Sequence, residues 1–240
     1  MPLPVFVISL PDSHARRAAI SDALGGLGLA FEFVDAVDGR SGLPADQEPC
    51  VDRQAATHHL GRPMSDAELA TALSHVLVYE RFLASAHEHA LILEDDAVPT
   101  PDLIAFLDAK GYTAAPLVLL HHLGARVLPH GGTRVAETLN LRPLAVPCFR
   151  ATAYTLSRGG AEWLLERTRP VSGTADWPAD ITRLPAMVVD PQIVHHPRVE
   201  LGQSTIAPGR ATRGGHRWHR FLDPSYARRV WRKMRSERIS

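Results

Sequence analysis

Cysteine is nearly absent from this chain: Cys50 and Cys148 are the two among 240 residues. That count excludes a disulfide framework and a thiolate-only zinc site, and it suits a reducing compartment. No apolar run approaches the ~20 residues that a membrane-spanning helix requires; ALIL and PLVLL are far too short. The N-terminal MPLPVFVISLPD has no basic leader region and passes straight into β-rich sequence, so no cleaved signal peptide is expected. Lysine is confined to Lys110 and Lys233, a bias that says little about function. The hydrophobic fraction of 45% and charged fraction of 22% exclude overall disorder. The length fits one large domain, or a domain plus an appendage.

The net charge of zero averages two unlike parts. Residues 210–240 hold ten basic side chains against Asp223 and Glu237, so this stretch carries +8 and the rest −8. Trp218, Phe221, Tyr226 and Trp231 are interleaved with the arginines. Such a mixture suits the interface of an anionic membrane. It also suits a helical extension or oligomer contact and, less well, nucleic acid, whose phosphates and base faces want the same residues. We expect a domain at 1–209 and a basic tail at 210–240.

VFVISL reads as a buried strand, HARRAAISDALGGLGL as a helix with Ser13 as N-cap, and FEFVDAV as a second strand. Strand, helix, strand is the opening of a parallel α/β sheet. Residues 40–63, rich in Gly and Pro, read as irregular. Ser65 and Glu68 form a capping box for the helix that follows, with Leu69, Leu73, Val76 and Leu77 as its apolar stripe. ALIL, PLVLL and ATAYTL read as strands and PTPDLIAFLDA as a short helix. Residues 123–143 read as a loop or hairpin, Ser157 as the cap of RGGAEWLLERT, and 170–191 as irregular.

Chemistry concentrates at Glu94-Asp95-Asp96, which follows ALIL directly. Three adjacent carboxylates repel one another, and in open α/β sheets the C-terminal strand ends open into the ligand crevice. A hard divalent cation with phosphate oxygens would neutralise them; a solvated turn is the alternative. The pairs His58-His59, His121-His122 and His195-His196 invite a metal reading, but none has the spacing that puts two ligands on one helix face. His195 and His196 are the preferred pair because they follow a late strand. Asp176 and Asp180, in the loop DWPAD, could take a proton from an attacking hydroxyl or could simply form turns.

In their order these segments resemble glycosyltransferase family 25, the lipooligosaccharide and collagen galactosyltransferase group. The resembling blocks are VISL with Arg16-Arg17, Ala36-Val37-Asp38-Gly39, Glu68 through Ser74-His75, Leu93-Glu94-Asp95-Asp96, Ala153-Tyr154 through Ala161, Trp177-Pro178-Ala179-Asp180 and Gln203-Ser204-Thr205-Ile206. Departures are Ser9 in place of Asn, Asp12 in place of Arg and Thr71 in place of Cys.

The resemblance implies an α/β, GT-A-type (Rossmann-like) nucleotide-sugar-binding domain with a mixed sheet flanked by helices. It implies an inverting transfer of a hexose, galactose first, from a UDP-sugar with Mn²⁺ or Mg²⁺, in lipopolysaccharide or other surface-glycan synthesis. Asp96, Glu94, His195 and His196 become the metal candidates, with Asp96 first. Ser9, Leu10, Arg16, Asp38, Glu68, Ser74, His75, Glu94 and Asp95 become donor-site candidates. Asp180 becomes the first candidate base and Asp176 the second. The acceptor would be a lipid-linked or surface saccharide, the tail would meet an anionic membrane at its cytoplasmic face, and nucleic acid is not expected. A metal-dependent phosphohydrolase and a catalytically degenerate membrane scaffold are the competing readings.

Overall fold

The computed structural model describes residues 3–197 and 224–240. The block at 203–206, the expected boundary at 209, Trp218, Phe221 and the side chain of Tyr226 lie outside the described residues.

Strand β1 (Val5–Ser9), helix α1 (His14–Gly26) and strand β2 (Glu32–Asp35) form the expected βαβ unit, with β1 and β2 parallel. Ser13 occupies the N-cap position of α1, but its side chain makes no capping bond. Residues 40–63 are not wholly irregular. They contain α2 (Arg53–Leu60), started by the Asp52 side chain accepting from the Ala55 N–H and closed by Gly61 at φ 73°. Ala56 is the one buried residue of α2, so no apolar stripe betrays this helix in the sequence.

Helix α3 (Asp66–Leu83) carries the capping box of Ser65 and Glu68. Eleven of its eighteen residues are buried, which brings polar Ser74 and His75 inside the molecule. Strands β3 (His89–Glu94) and β4 (Val98–Pro99), helix α4 (Asp102–Asp108) and strand β5 (Leu117–Leu119) follow. The 123–143 segment supplies β6 (Arg126–Val127), β7 (Thr133–Arg134) and the start of β8 (Asn140–Val146), against which both short strands pair antiparallel. Next come β9 (Ala153–Ser157) and α5 (Arg158–Thr168), where Ser157 Oγ caps the Gly160 N–H as read. Inside the supposedly irregular 170–191 lies β10 (Ala186–Asp190), followed by β11 (Val194–His195). The five residues of β10 are hemmed by Pro185 and Pro191 and owe their strand to neighbours remote in sequence.

The main sheet has ten strands in the order β12-β6-β8-β10-β5-β9-β3-β1-β2, with β7 on β8; β12 is Glu237–Arg238. Parallel pairing joins β2, β1 and β3, and separately β5 and β10; the other pairings are antiparallel. This is the mixed, helix-flanked α/β sheet that was expected. Alternation along the strands builds one core on each face. Phe6, Ile8 and Ile92 meet Tyr79 and Phe82 of α3 and Leu164 of α5. Val5, Val7, Leu91 and Leu93 meet Ile20 and Leu24 of α1 and Phe106 of α4.

Two motif glycines have steric reasons. A Cβ on Gly39 would lie 2.4 Å from the Asp66 carbonyl oxygen, and one on Gly160 would lie 2.6 Å from that of Pro116. The far end of the basic segment joins the sheet. Helix α6 (Pro224–Met234) leads into β12, which pairs with β6. Arg232 donates to the carbonyl oxygens of Ala145 and Leu144 on β8 at 2.8 and 2.7 Å, and Ile239 packs against the first core.

Candidate active site

Parallel β1 and β3 end side by side, Ile8 opposite Glu94, so Ser9 and the three carboxylates lie together at the C-terminal edge of the sheet, where ligands bind in open α/β sheets. Ser9 Oγ donates to Asp95 Oδ2 at 2.7 Å. Arg16, in the first turn of α1, donates to Asp95 Oδ1 at 3.1 Å and lies 3.5 Å from Asp96 Oδ2. The Asp96 Oδ2 atom also pairs with His196 Nε2 at 3.1 Å, while Asp96 Oδ1 is buried with no hydrogen-bond partner. The His121 ring stacks on His196 with centroids 6.1 Å apart.

These contacts separate the two aspartates electrostatically. Burial raises the Asp95 pKa and outweighs the opposing Ser9 and Arg16 contacts. Burial also pushes Asp96 upward, but His196, Arg16 and Arg150 together hold its carboxyl below the ordinary range. The same hydrogen bond to Asp96 raises the His196 pKa. The Asp96–His196 contact thus shifts each group toward its charged form.

From the α3 side, His75 Nε2 lies 3.3 Å from Glu94 Oε1 and Nδ1 lies 2.8 Å from the Tyr154 hydroxyl. Tyr154 in turn donates to the Tyr79 hydroxyl at 3.3 Å. All three side chains are buried, so this polar chain fixes the imidazole that faces Glu94. The neighbouring Ser74 Oγ accepts the Val37 N–H and donates to the Ala70 carbonyl, fastening the segment after β2 onto α3.

Asp176 closes the site from the loop before β10. Its Oδ1 accepts the N–H groups of Arg150 and Ala151 at 2.9 and 3.2 Å. Burial raises its pKa, the charge of Glu94 adds to the rise, and the two N–H groups oppose it. Arg150 and Trp177 both have positive φ, 78° and 69°. Such strain at non-glycine residues costs roughly 1–3 kcal/mol each and survives only where the surroundings impose it. Here it brackets one carboxylate.

The remaining candidates are not gathered at this point. Asp180 Oδ1 is occupied by the Thr182 N–H and hydroxyl, and its charge acts on Arg232 of α6. Exposed Asp38 is chelated by Arg40. Buried Glu68 spends both oxygens on Arg62 and its capping role. The Leu10 carbonyl accepts from Arg17 Nε. His195 is exposed on β11, where its backbone pairs with Val98. Among the described residues no three His, Cys, Asp or Glu side chains form a metal-holding group. Sequence reasoning missed Arg150 and undervalued His121 and Tyr154. Tyr154 lay within a quoted block, but nothing in its spacing announced a bond to His75.

The profile of Glycosyltransferase family 25 (LPS biosynthesis protein) matches residues 3–182. Lacto-N-neotetraose biosynthesis glycosyltransferase LgtE of Neisseria meningitidis is 27% identical over 173 residues, covering 67% of this chain and 59% of LgtE. The rat protein named "Probable inactive glycosyltransferase 25 family member 3" is 31% identical over 176 residues, covering 67% of this chain and 29% of its own. The crystal structure of A197 from STIV aligns with a TM-score of 0.43 and 13% identity over 78% of this chain and 81% of A197. The chain thus spans about three fifths of LgtE and less of the rat relative. With the profile covering three quarters of its length, the chain belongs to glycosyltransferase family 25.

Proposed function

We propose that the chain transfers a hexose from a UDP-sugar to a saccharide acceptor in surface-glycan synthesis, with inversion at the anomeric carbon. The observation that carries this reading is the strand-end constellation of Ser9, Arg16, Glu94, Asp95, Asp96 and His196 in a member of a glycosyltransferase family. Arg16, whose side chain is 40% exposed, can turn from Asp95 toward a diphosphate. Asp95, held by Ser9, is available to a sugar or ribose hydroxyl. Galactose is the first sugar to test, since the LgtE relative is named for lacto-N-neotetraose biosynthesis.

The donor set suits a divalent cation shared with phosphate better than a protein cage. The orphaned, buried Asp96 Oδ1 wants a cation, His196 adjoins it, and no third ligand stands by among the described residues. Mg²⁺-like ions are commonly held by one or two carboxylates plus substrate phosphates. When bound, such an ion supplies charge screening for the leaving diphosphate.

We assign the proton-accepting role to Asp176 ahead of Asp180. Both N–H bonds to Asp176 use Oδ1, which leaves Oδ2 to take the proton of the acceptor hydroxyl as the hydroxyl oxygen attacks the anomeric carbon. The bond from that carbon to UDP breaks in the same step. A raised pKa improves Asp176 as a general base near neutrality.

The test is thermal unfolding with UDP, with and without Mn²⁺, on the wild type and Asp96→Asn. UDP with Mn²⁺ should raise the wild-type melting temperature, since a ligand of the folded state stabilises it, and Asp96→Asn should abolish the Mn²⁺-dependent part. An equal Mn²⁺-dependent shift in a folded Asp96→Asn variant would remove Asp96 from the ion site. No shift with any nucleotide would overturn the transferase reading itself.

A further inference from the structure

Helix α6 is mounted the wrong way round for a helix that packs on its own domain. At ~100° per residue, Ala227, Val230, Trp231 and Met234 fall within one ~100°-wide apolar arc, and Arg228, Arg229, Arg232 and Lys233 fill the opposite side. An amphipathic helix on a globular protein turns its apolar arc to the core. Here it is Arg232, at the centre of the basic side, that reaches the sheet through the carbonyl oxygens of Leu144 and Ala145. The apolar arc faces solvent: Val230 is 39% exposed, Trp231 55% and Met234 82%.

The mounting is firm. Directly after α6, Arg126 donates to Ser236, β12 pairs with β6, and Ser240 Oγ lies 3.0 Å from both the Ala125 N–H and His122 Nδ1. Exposed Arg228 and Lys233 are the basic residues nearest the two edges of the apolar arc, exposed Arg229 lies behind it, and the Arg235 guanidinium sits 4.4 Å from the Trp231 ring centroid.

We propose that this face of α6 is a docking surface for an anionic lipid bilayer, lying in the interfacial plane and not spanning it. Charge selects the occupant: residues 224–240 contain six basic side chains against Glu237. Long basic side chains beside an apolar arc can reach lipid phosphates while Trp231, Val230 and Met234 enter the acyl boundary. Nucleic acid would want the whole basic side outward, and Arg232 at its centre is bonded to β8. A second copy of this chain would bring like charge against like charge. The proposal stands apart from the catalytic reading and does not need it.

The test is co-sedimentation of the full chain with phosphatidylcholine vesicles, and with vesicles containing about one third phosphatidylglycerol. Trp231→Ser/Met234→Ser and Arg228→Gln/Arg229→Gln are run alongside, with melting temperature as the folding control. The wild type should bind the anionic vesicles alone and release them at high salt. The Trp231/Met234 variant, whose changes are exposed, should melt like wild type and lose at least about tenfold in partitioning. Wild-type indifference to anionic vesicles at low salt, or unchanged binding by the folded Trp231/Met234 variant, overturns the proposal. So does a variant that splits a dimer in light scattering, or loses a single-stranded oligonucleotide, while keeping its vesicle binding.

Discussion

Replacing Tyr154 by Phe removes one oxygen from the middle of the chain Tyr79–Tyr154–His75–Glu94. His75 Nδ1, 2.8 Å from that oxygen, and the Tyr79 hydroxyl, 3.3 Å from it, both lose their partner. Neither can turn to water, because Tyr79 and Tyr154 are 1% and 0% exposed and His75 2%. An unsatisfied buried polar group costs ~1–3 kcal/mol, so two orphans predict roughly 2–6 kcal/mol of lost stability. Tyr79→Phe is the contrasting perturbation, since Tyr154 keeps His75 and only the Tyr154 O–H loses its acceptor, one orphan at ~1–3 kcal/mol. Urea unfolding measures both through the midpoint at unchanged slope. The consequence reaches the site, because His75 is what faces Glu94. The UDP-dependent melting shift should therefore shrink in Tyr154→Phe more than in Tyr79→Phe. If Tyr154→Phe stays within about 0.5 kcal/mol of wild type, or Tyr79→Phe is the costlier change, the hydroxyl chain is not what holds the imidazole.

Three further outcomes follow from the same geometry. Asp176→Asn should lower turnover by ~10²–10⁴-fold with UDP binding near normal, and Asp180→Asn should do far less; the reverse pattern in acceptor-dependent kinetics would return the role to Asp180. Gly160→Ala should lose ~1–3 kcal/mol in urea unfolding because its Cβ would meet a backbone oxygen, whereas Gly159→Ala, with nothing within 4 Å, should be neutral or stabilising. His121 is held neutral, its pKa lowered from 6.5 to about 4 by burial, so its contribution is present above pH 6.5 and lost as pH falls toward about 4. His121→Gln should accordingly flatten the acid limb of the stability profile, while His196, shifted the other way by Asp96, loses its contribution as pH rises.

Local signals carried the fold as far as local physics decides it. The capping box at Ser65 and Glu68, the Ser157 cap and the strand ending on Glu94 could be read because each depends on residues a few positions apart. Helix α2 hid because it buries one alanine, and β10 because its pairing with β5 and β8 is settled far away in sequence. In the site, the carboxylates announced themselves by adjacency. His75 was visible as a polar residue in a helix, but its partner Tyr154 comes from a strand that the sheet brings beside β3. The Asp176–Arg150 contact was invisible for the same reason, since it joins two loops through a backbone conformation that composition does not reveal. The basic segment had charge and aromatics to read, yet only the sheet shows which way its helix faces.

The strand order also bears on how the chain can be made. Once β3 has left the ribosome at Glu94, its second neighbour β9 is not complete until Ser157, and β5 and β8 wait for β10 until Asp190. Throughout that interval apolar strands such as Leu91–Leu93 present an open edge to any other nascent chain. Slow translation through this region, or the absence of chaperones, should therefore favour inclusion bodies. The same order warns against trimming by family boundaries. A fragment ending at residue 182, where the family profile stops, would lack the strand that joins the two halves of the sheet.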